Sequence, residues 1–291
     1  MIYLSHTPGP TLSGFINNLW LLSVPRCMRE NGSFQAERSS WSSTCTRTSS
    51  ASNDSVHAGA CRRFSAALVS GAYQRPFVID TREHASVIGV HFKPGGAFPF
   101  FRGAVGELAD AHVDLEVLWG AGARELRERL CAAEIPPERF QILQRALMVR
   151  ISRFFGHRAA VQIGLEHLMH AGASIAEIAA RVELSHRRFI EVFAGAVGMR
   201  PKSFARVQRF QRAVALTKRV PSPDWGHLAL RCGYFDQSHL IRDFAAFSGL
   251  SPTAFARHRG DRVKENHIAV SDEGSNSSKT SAPSVRKLGA R

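Results

Sequence analysis

The strongest constraint on this 291-residue chain is an internal repeat. FAGAVGMRPKSFAR (193–206) lies on FAAFSGLSPTAFAR (244–257) at a shift of 51 positions, and seven of the fourteen residues are identical. Upstream, Ile178 and Ala179 fall on Leu228 and Ala229 at a shift of 50. The second copy therefore carries one extra residue in its turn, Gly233-Tyr234-Phe235-Asp236 against Glu183-Leu184-Ser185. A match that keeps aromatics, Gly and Pro in place encodes one supersecondary unit built twice.

The punctuation within each copy identifies that unit. Ser174 and Glu177 form S-x-x-E, a capping box that satisfies free backbone N–H groups at the start of SIAEIAARV. Ser185 and Asp236 are N-cap types ahead of a second helix. Gly198 and Gly249 suit its stop, where a positive φ is wanted, and Pro201 and Pro252 fit the first turn of a third helix. Helix, short turn, helix, stop, helix is a helix-turn-helix, present twice. Its expected core is Ile178, Ala179, Phe189 and Phe193 in the first unit, and Leu228, Ala229, Leu240 and Phe244 in the second. Between the units, PKSFARVQRFQRAVALTKR places Val207, Phe210 and Val214 on one helical stripe. Such a strut is roughly 25–30 Å long at about 1.5 Å per residue, close to the ~34 Å between successive major-groove faces.

Charge supports a polyanion partner. The chain has 38 Lys plus Arg against 24 Asp plus Glu, a net charge of +14. Residues 64–157 hold 11 basic and 10 acidic side chains, whereas 158–260 hold 15 and 7, so the excess lies on the repeat. With the aromatics turned inward, the second helix of the first unit presents His186, Arg187, Arg188 and Glu191. The other presents Gln237, Ser238 and Arg242. Arg suits guanine O6/N7, Gln suits adenine, and Glu accepts from cytosine N4, so these are the expected base-reading residues. Ser185, Arg206, Arg209 and Arg212 are expected at phosphates.

The N-terminal half differs. ALVSGAYQRPFVID and SVIGVHFKPGGAFPFF are β-type, with Val87, Gly89 and His91 alternating against Ile88, Val90 and Phe92 up to a Pro94-Gly95-Gly96 turn. FINNLWLLSV reads as a short helix entering a buried strand, and VDLEVLWGAGARELRERLCAA and ERFQILQRALMVRISRFF read as helices. The fold class is thus α+β: a small β-rich sensor-like domain over 1–157, then an all-α domain of two helix-turn-helix units joined by a linker helix over 158–259. From Asn31 to Ser55, 12 of 25 residues are Ser or Thr, so 26–55 is expected to be disordered, as is the Ser-, Lys- and Asn-rich tail 260–291.

Other chemistry finds little support. Five cysteines without a C-x-x-C argue for free thiols rather than a zinc cluster or disulfide framework. His84 with His91, and His167 with His170, have no third ligand at metal spacing. Neither a G-x-S-x-G, a P-loop nor a Rossmann fingerprint occurs, and Lys93–Gly96 reads as a turn rather than a phosphate cradle. No enzyme activity, metal or cofactor is expected. An effector could lodge in the β domain, with His91, Phe92 and Phe98 as candidates by position alone. The contrasting class is a ligand-binding or enzymatic β domain with a helical dimerisation module. Absence of an apolar run of ~18 residues and of a secretory-type N-terminus predicts a soluble, intracellular chain.

At this point the residues resemble a known family. SIAEIAARVELSHRRFIEVFAGAVGMRPKSFARVQRFQRAV followed by DWGHLALRCGYFDQSHLIRDFAAFSGLSP resembles the double helix-turn-helix domain of AraC-type bacterial transcription regulators. The run from Gly233 to Phe244 and the G-x-S-P from Gly249 to Pro252 are its most specific part, and HFKPGGAFPFF resembles the sensor-like domain of one branch. The resemblance implies a cytoplasmic, nucleoid-associated regulator binding promoter DNA, with a small effector, RNA polymerase and a second copy of the chain as further partners. Glu191 stands where many members carry Arg. Regulators of this branch continue after Pro25 into an apolar strand, whereas here composition changes abruptly. The reading is a compensated frameshift between Arg26 and Asn53, which requires that another frame of the coding DNA encode a β-patterned peptide.

Overall fold

A computed structural model describes residues 2–23, 33–34, 40–44, 50–53, 62–64, 67–76, 78–80, 86–101, 104–152, 157–170, 174–217 and 223–258. The N-terminal half is built on two antiparallel sheets. Strands β1 (Ile2–His6) and β2 (Ile16–Ser23) flank the short helix α1 (Pro10–Ser13), and Pro10 sits in the helix's first turn, where its missing N–H costs nothing. Six strands form one sheet in the order β1, β2, β9 (Ser86–Phe92), β4 (Ser40–Thr44), β7 (Ala67–Ser70), β10 (His112–Asp114). The smaller sheet runs β3 (Ser33–Phe34), β8 (Val78–Asp80), β5 (Ser50–Asn53), β6 (Arg62–Phe64).

Register places the core on one face. Leu19 pairs with Val90 and Leu21 with Ile88, and all four are buried with Phe92, Phe100 and Phe101. Helices α2 (Leu115–Trp119), α3 (Ala121–Ala132) and α4 (Pro136–Arg150) add Leu115, Leu126, Leu130, Leu143 and Leu147 to this core. On the opposite face Trp20 covers Gly89, where a Cβ would come within 2.4 Å of the indole. Strand β9 is therefore buried on both faces. The turn at Pro94–Gly96 is structural: Gly95 has φ 71°, and a Cβ on Gly96 would lie 2.0 Å from the Phe15 carbonyl oxygen.

The Ser/Thr-rich segment departs from its expected disorder. It contributes β3, β4 and β5, and β4 lies inside the larger sheet, paired with β9 on one side and β7 on the other. An inner strand is held by two backbone ladders that any non-proline sequence can make, and here β-rich neighbours supply the apolar face. The rest of that segment, and the tail from 259 onward, lie outside the described residues.

The C-terminal half is helical: α5 (Arg158–His170), α6 (Ile175–Arg181), α7 (His186–Val197), α8 (Pro201–Thr217), α9 (Trp225–Arg231), α10 (Gln237–Ser248) and α11 (Pro252–His258). One continuous core unites the two helical triplets. Ile178, Ala179, Phe189 and Phe193 join Val207, Phe210 and Val214 of α8, and these join Leu228, Ala229, Leu240 and Phe244. All eleven are positions the sequence placed inside. The N-terminal half touches this core through Ala72 and through the 3-10 turn Ala104–Leu108. A Cβ built on Gly106 would stand 3.1 Å from the Gly195 Cα, so backbone meets backbone at the tail of α7.

Candidate nucleic-acid interface

Caps fix where each outward helix begins and ends. The Ser174 N–H donates to Glu177 Oε2 at 2.6 Å, and the Glu177 N–H donates back to Ser174 Oγ at 3.2 Å. These bonds hold the Glu177 carboxyl below the ordinary carboxylate range. Ser185 accepts from the Arg188 N–H at 3.2 Å, opening α7, and Asp236 accepts from the His239 N–H at 2.6 Å, opening α10. Asp224 does the same for α9, accepting from Gly226 and His227. Gly198 and Gly249 end α7 and α10 in the left-handed region at φ 80° and 65°, a conformation that strains any side chain with a Cβ.

Because these caps set the phase, the polar residues emerge together. His186, Arg187, Arg188 and Glu191 are all exposed on the N-terminal half of α7, and Gln237, Ser238 and Arg242 are exposed on α10. Glu191 is not a free carboxylate: Arg187 bonds it at 3.0 Å and Arg188 lies at 3.5 Å. The bond from Arg187 is the main cause that holds its pKa down. Arg242 Nε donates to the Ser238 carbonyl at 3.3 Å, which lays the guanidinium along its own helix. Among the described residues, those of the N-terminal half meet α7 at its tail, around Gly195 and Gly198, and meet Gly249 at the end of α10, while both N-terminal tips stay exposed. Helix α8 is unbroken over 17 residues.

Two arginines expected at phosphates are engaged elsewhere. Arg206 reaches Asp243 Oδ1 through Nη2 at 2.6 Å and Nε at 3.1 Å, and its guanidinium lies 5.2 Å from the Phe247 ring. Arg209 stacks 5.5 Å from the Tyr234 ring. Arg212 Nε points back to the Gln208 carbonyl at 3.4 Å, while Ser185 stays exposed at its cap. Tyr234 has its pKa raised by burial first and then by the Asp243 carboxylate, so phenol and carboxylate are close neighbours. Sequence reasoning missed Asp243. The signal was its place between Leu240, Phe244 and Phe247, a charged residue on the buried stripe of its helix. It also missed Ile241 and Phe235, which are exposed beside the polar residues of the second unit.

Two of the three effector candidates, His91 and Phe92, lie on opposite faces of the sheet. His91 Nδ1 faces Asn18 Oδ1 at 3.0 Å on the Trp20 side of the sheet. Phe92, the next residue, points to the opposite face and packs on Phe100 and Phe101. Phe98 is partly buried between the two cores. Among the described residues no group of His, Cys, Asp or Glu could hold a metal ion, and no helix is long and apolar enough to cross a membrane.

Two capped, outward-facing helices on a basic all-α half define a helix-turn-helix DNA-binding protein, and residues 178–258 match the model of a helix-turn-helix domain family. Residues 4–114 match a domain family of unknown function. Residues 178–258 thus form an AraC-type helix-turn-helix domain, which is that of a DNA-binding transcription regulator. No curated protein matches it. Among solved structures it is similar to ToxT from Vibrio cholerae, 9% identical over 88% of this chain and 98% of that one, with a TM-score of 0.40. It is also similar to ToxT bound to (E)-4-(8-methylnaphthalen-1-yl)but-3-enoic acid, 8% identical over 88% and 99%, with a TM-score of 0.42.

Proposed function

We propose that the chain is sequence-specific and reads two successive major-groove segments of one duplex, with α7 in the first and α10 in the second. The observation that carries this reading is the pair of capped helices with exposed polar N-terminal halves, joined by an α8 of 17 residues, about 25 Å at 1.5 Å per residue. Arg187, Arg188 and Arg242 are the guanine readers, Gln237 the adenine reader, and Glu191 the acceptor for cytosine, with His186 and Ser238 beside them. Ser185 and Arg212 are the phosphate contacts of this scheme. Double-stranded DNA is the first partner; a small effector, RNA polymerase and a second copy of the chain are the further ones. The setting is the bacterial cytoplasm, at the nucleoid.

Selection of bound fragments from random duplexes tests the reading and yields the site. A selected sequence with two conserved blocks about one helical turn apart is expected. Affinity for it should fall with salt along a log–log slope of several units if about six or more phosphates are contacted. Arg242→Ala should relax one base position at a cost of about 1–3 kcal/mol. A pool that shows no enrichment, or a flat salt response, refutes the proposal.

A further inference from the structure

The second unit is fastened to the linker helix by a device that the first unit lacks. Asp243 is 1% exposed, yet it lies at the position that the repeat fills with Val192 in the first unit. Val192 packs against the core without any charge. Likewise Arg257, the repeat counterpart of Arg206, is exposed. Burying a carboxylate carries a desolvation cost that pairing must repay, and an apolar residue would fill the site as Val192 does. What the ion pair adds over Val is direction. Two N–H groups of one guanidinium converge on a single carboxylate oxygen, and the same planar group rests on Phe247 one turn further along α10.

That arrangement fixes rotation as well as distance. Asp243 directly follows Arg242, and adjacent helix residues diverge by about 100°, so the anchor on the inner face sets the angle of the exposed reader. A helix with its side chains has a radius of about 5–6 Å, so a roll of about 20° carries a reading atom about 2 Å. Hydrogen bonds form over a span of only about 0.5 Å, so such a roll breaks a bidentate base contact. Arg209, one turn along α8 from Arg206, sits over Tyr234 in the turn that leads into α10 and holds its start in the same way.

We propose that Arg206 and Asp243, assisted by Arg209 on Tyr234, set the rotation of α10 about its own axis and are positioning residues for base recognition by the second unit alone. This inference rests on the two-helix reading above. The test uses the full chain and the duplex that the wild type selects from a random pool. The α10 block is identified as the one whose discrimination Arg242→Ala relaxes. Asp243→Asn keeps the shape and removes the charge. Its discrimination in the α10 block should fall about tenfold or more, the worth of one bidentate base contact, while the α7 block stays within about twofold.

Unchanged discrimination in both blocks, or an equal loss in both, overturns the proposal. So does uniformly tighter binding to every duplex, which would mark Arg206 as a phosphate ligand released from its partner. Should Asp243→Asn fail to fold, Arg206→Lys is read by the same outcomes, since it keeps the charge and loses the planar fork. The double variant Arg206→Met/Asp243→Leu refills the site with apolar volume. It should fold and still lack α10-block discrimination; recovery of that discrimination sinks the proposal. A wild type that selects no sequence refutes the two-helix reading instead, so the two failures are distinguishable.

Discussion

Phe210→Ala tests whether the two units fold as one body. Phe210 is buried on α8, and its ring meets Phe244 at 4.9 Å, Phe247 at 5.3 Å and Phe255 at 6.4 Å, all in the second unit. The same helix gives Val207 and Val214 to a core continuous with Phe189 and Phe193 of the first unit. A buried Phe removes about 200 Å² from water, about 5 kcal/mol at about 25 cal/mol per Å², and measured Phe→Ala losses run at about 3–5 kcal/mol. At about 4–8 °C per kcal/mol for a domain of about 60–100 residues, the melting point should fall by about 15 °C or more. Circular dichroism at 222 nm gives the midpoint, and amide exchange reports each helix separately. One shared core requires α6 and α7 to lose protection together with α9 and α10. A loss below about 1 kcal/mol, or a first unit that keeps its protection while the second opens, refutes the reasoning.

Two further outcomes follow from the caps and the exposed charges. Glu177 has a lowered pKa in the folded state, so its stabilising effect is present above the ordinary carboxylate value of 4.5 and is lost as pH falls through the folded value. Glu177→Gln should therefore flatten the decline of melting temperature below pH 4.5, and an unchanged acid limb contradicts the capping assignment. Glu191→Gln frees Arg187 and Arg188 from their shared partner, and non-specific duplex binding should become tighter with a salt slope steeper by about one unit. A slope and affinity equal to those of the wild type would place the N-terminal half of α7 away from the bound duplex.

How much of this was legible varies with the kind of signal. Ser174, Ser185, Asp236, Gly198 and Gly249 announce helix ends because capping is local: each satisfies groups within three or four residues of itself. The inward positions were legible too, since a repeated aromatic can only be a repeated core residue. Arg206 was not, because nothing within its own helix distinguishes an arginine bound for a phosphate from one bound for a carboxylate 37 residues away. Nor was β4 legible. Its composition speaks only of solubility, whereas its place in the sheet is decided by β9 and β7, whose free edges it joins. His91 and Phe92 were named by position alone, and strand geometry sends such neighbours to opposite faces.

The seam at Gly106 and Gly195 has a mechanical consequence. Side chains at a joint act as cushions that rotate or reshuffle when one body shifts; here two glycines face each other, and a Cβ on Gly106 would lie 3.1 Å from the Gly195 Cα, so little stands between the two main chains at that point. A displacement of the Ala104–Leu108 turn would thus be handed directly to the rear of α7, while α10, which Pro76 meets at Gly249, is braced separately from α8. Among the described residues the β domain bears more on the rear of α7 than on the second helical triplet, so a push it delivers would shift one triplet relative to the other.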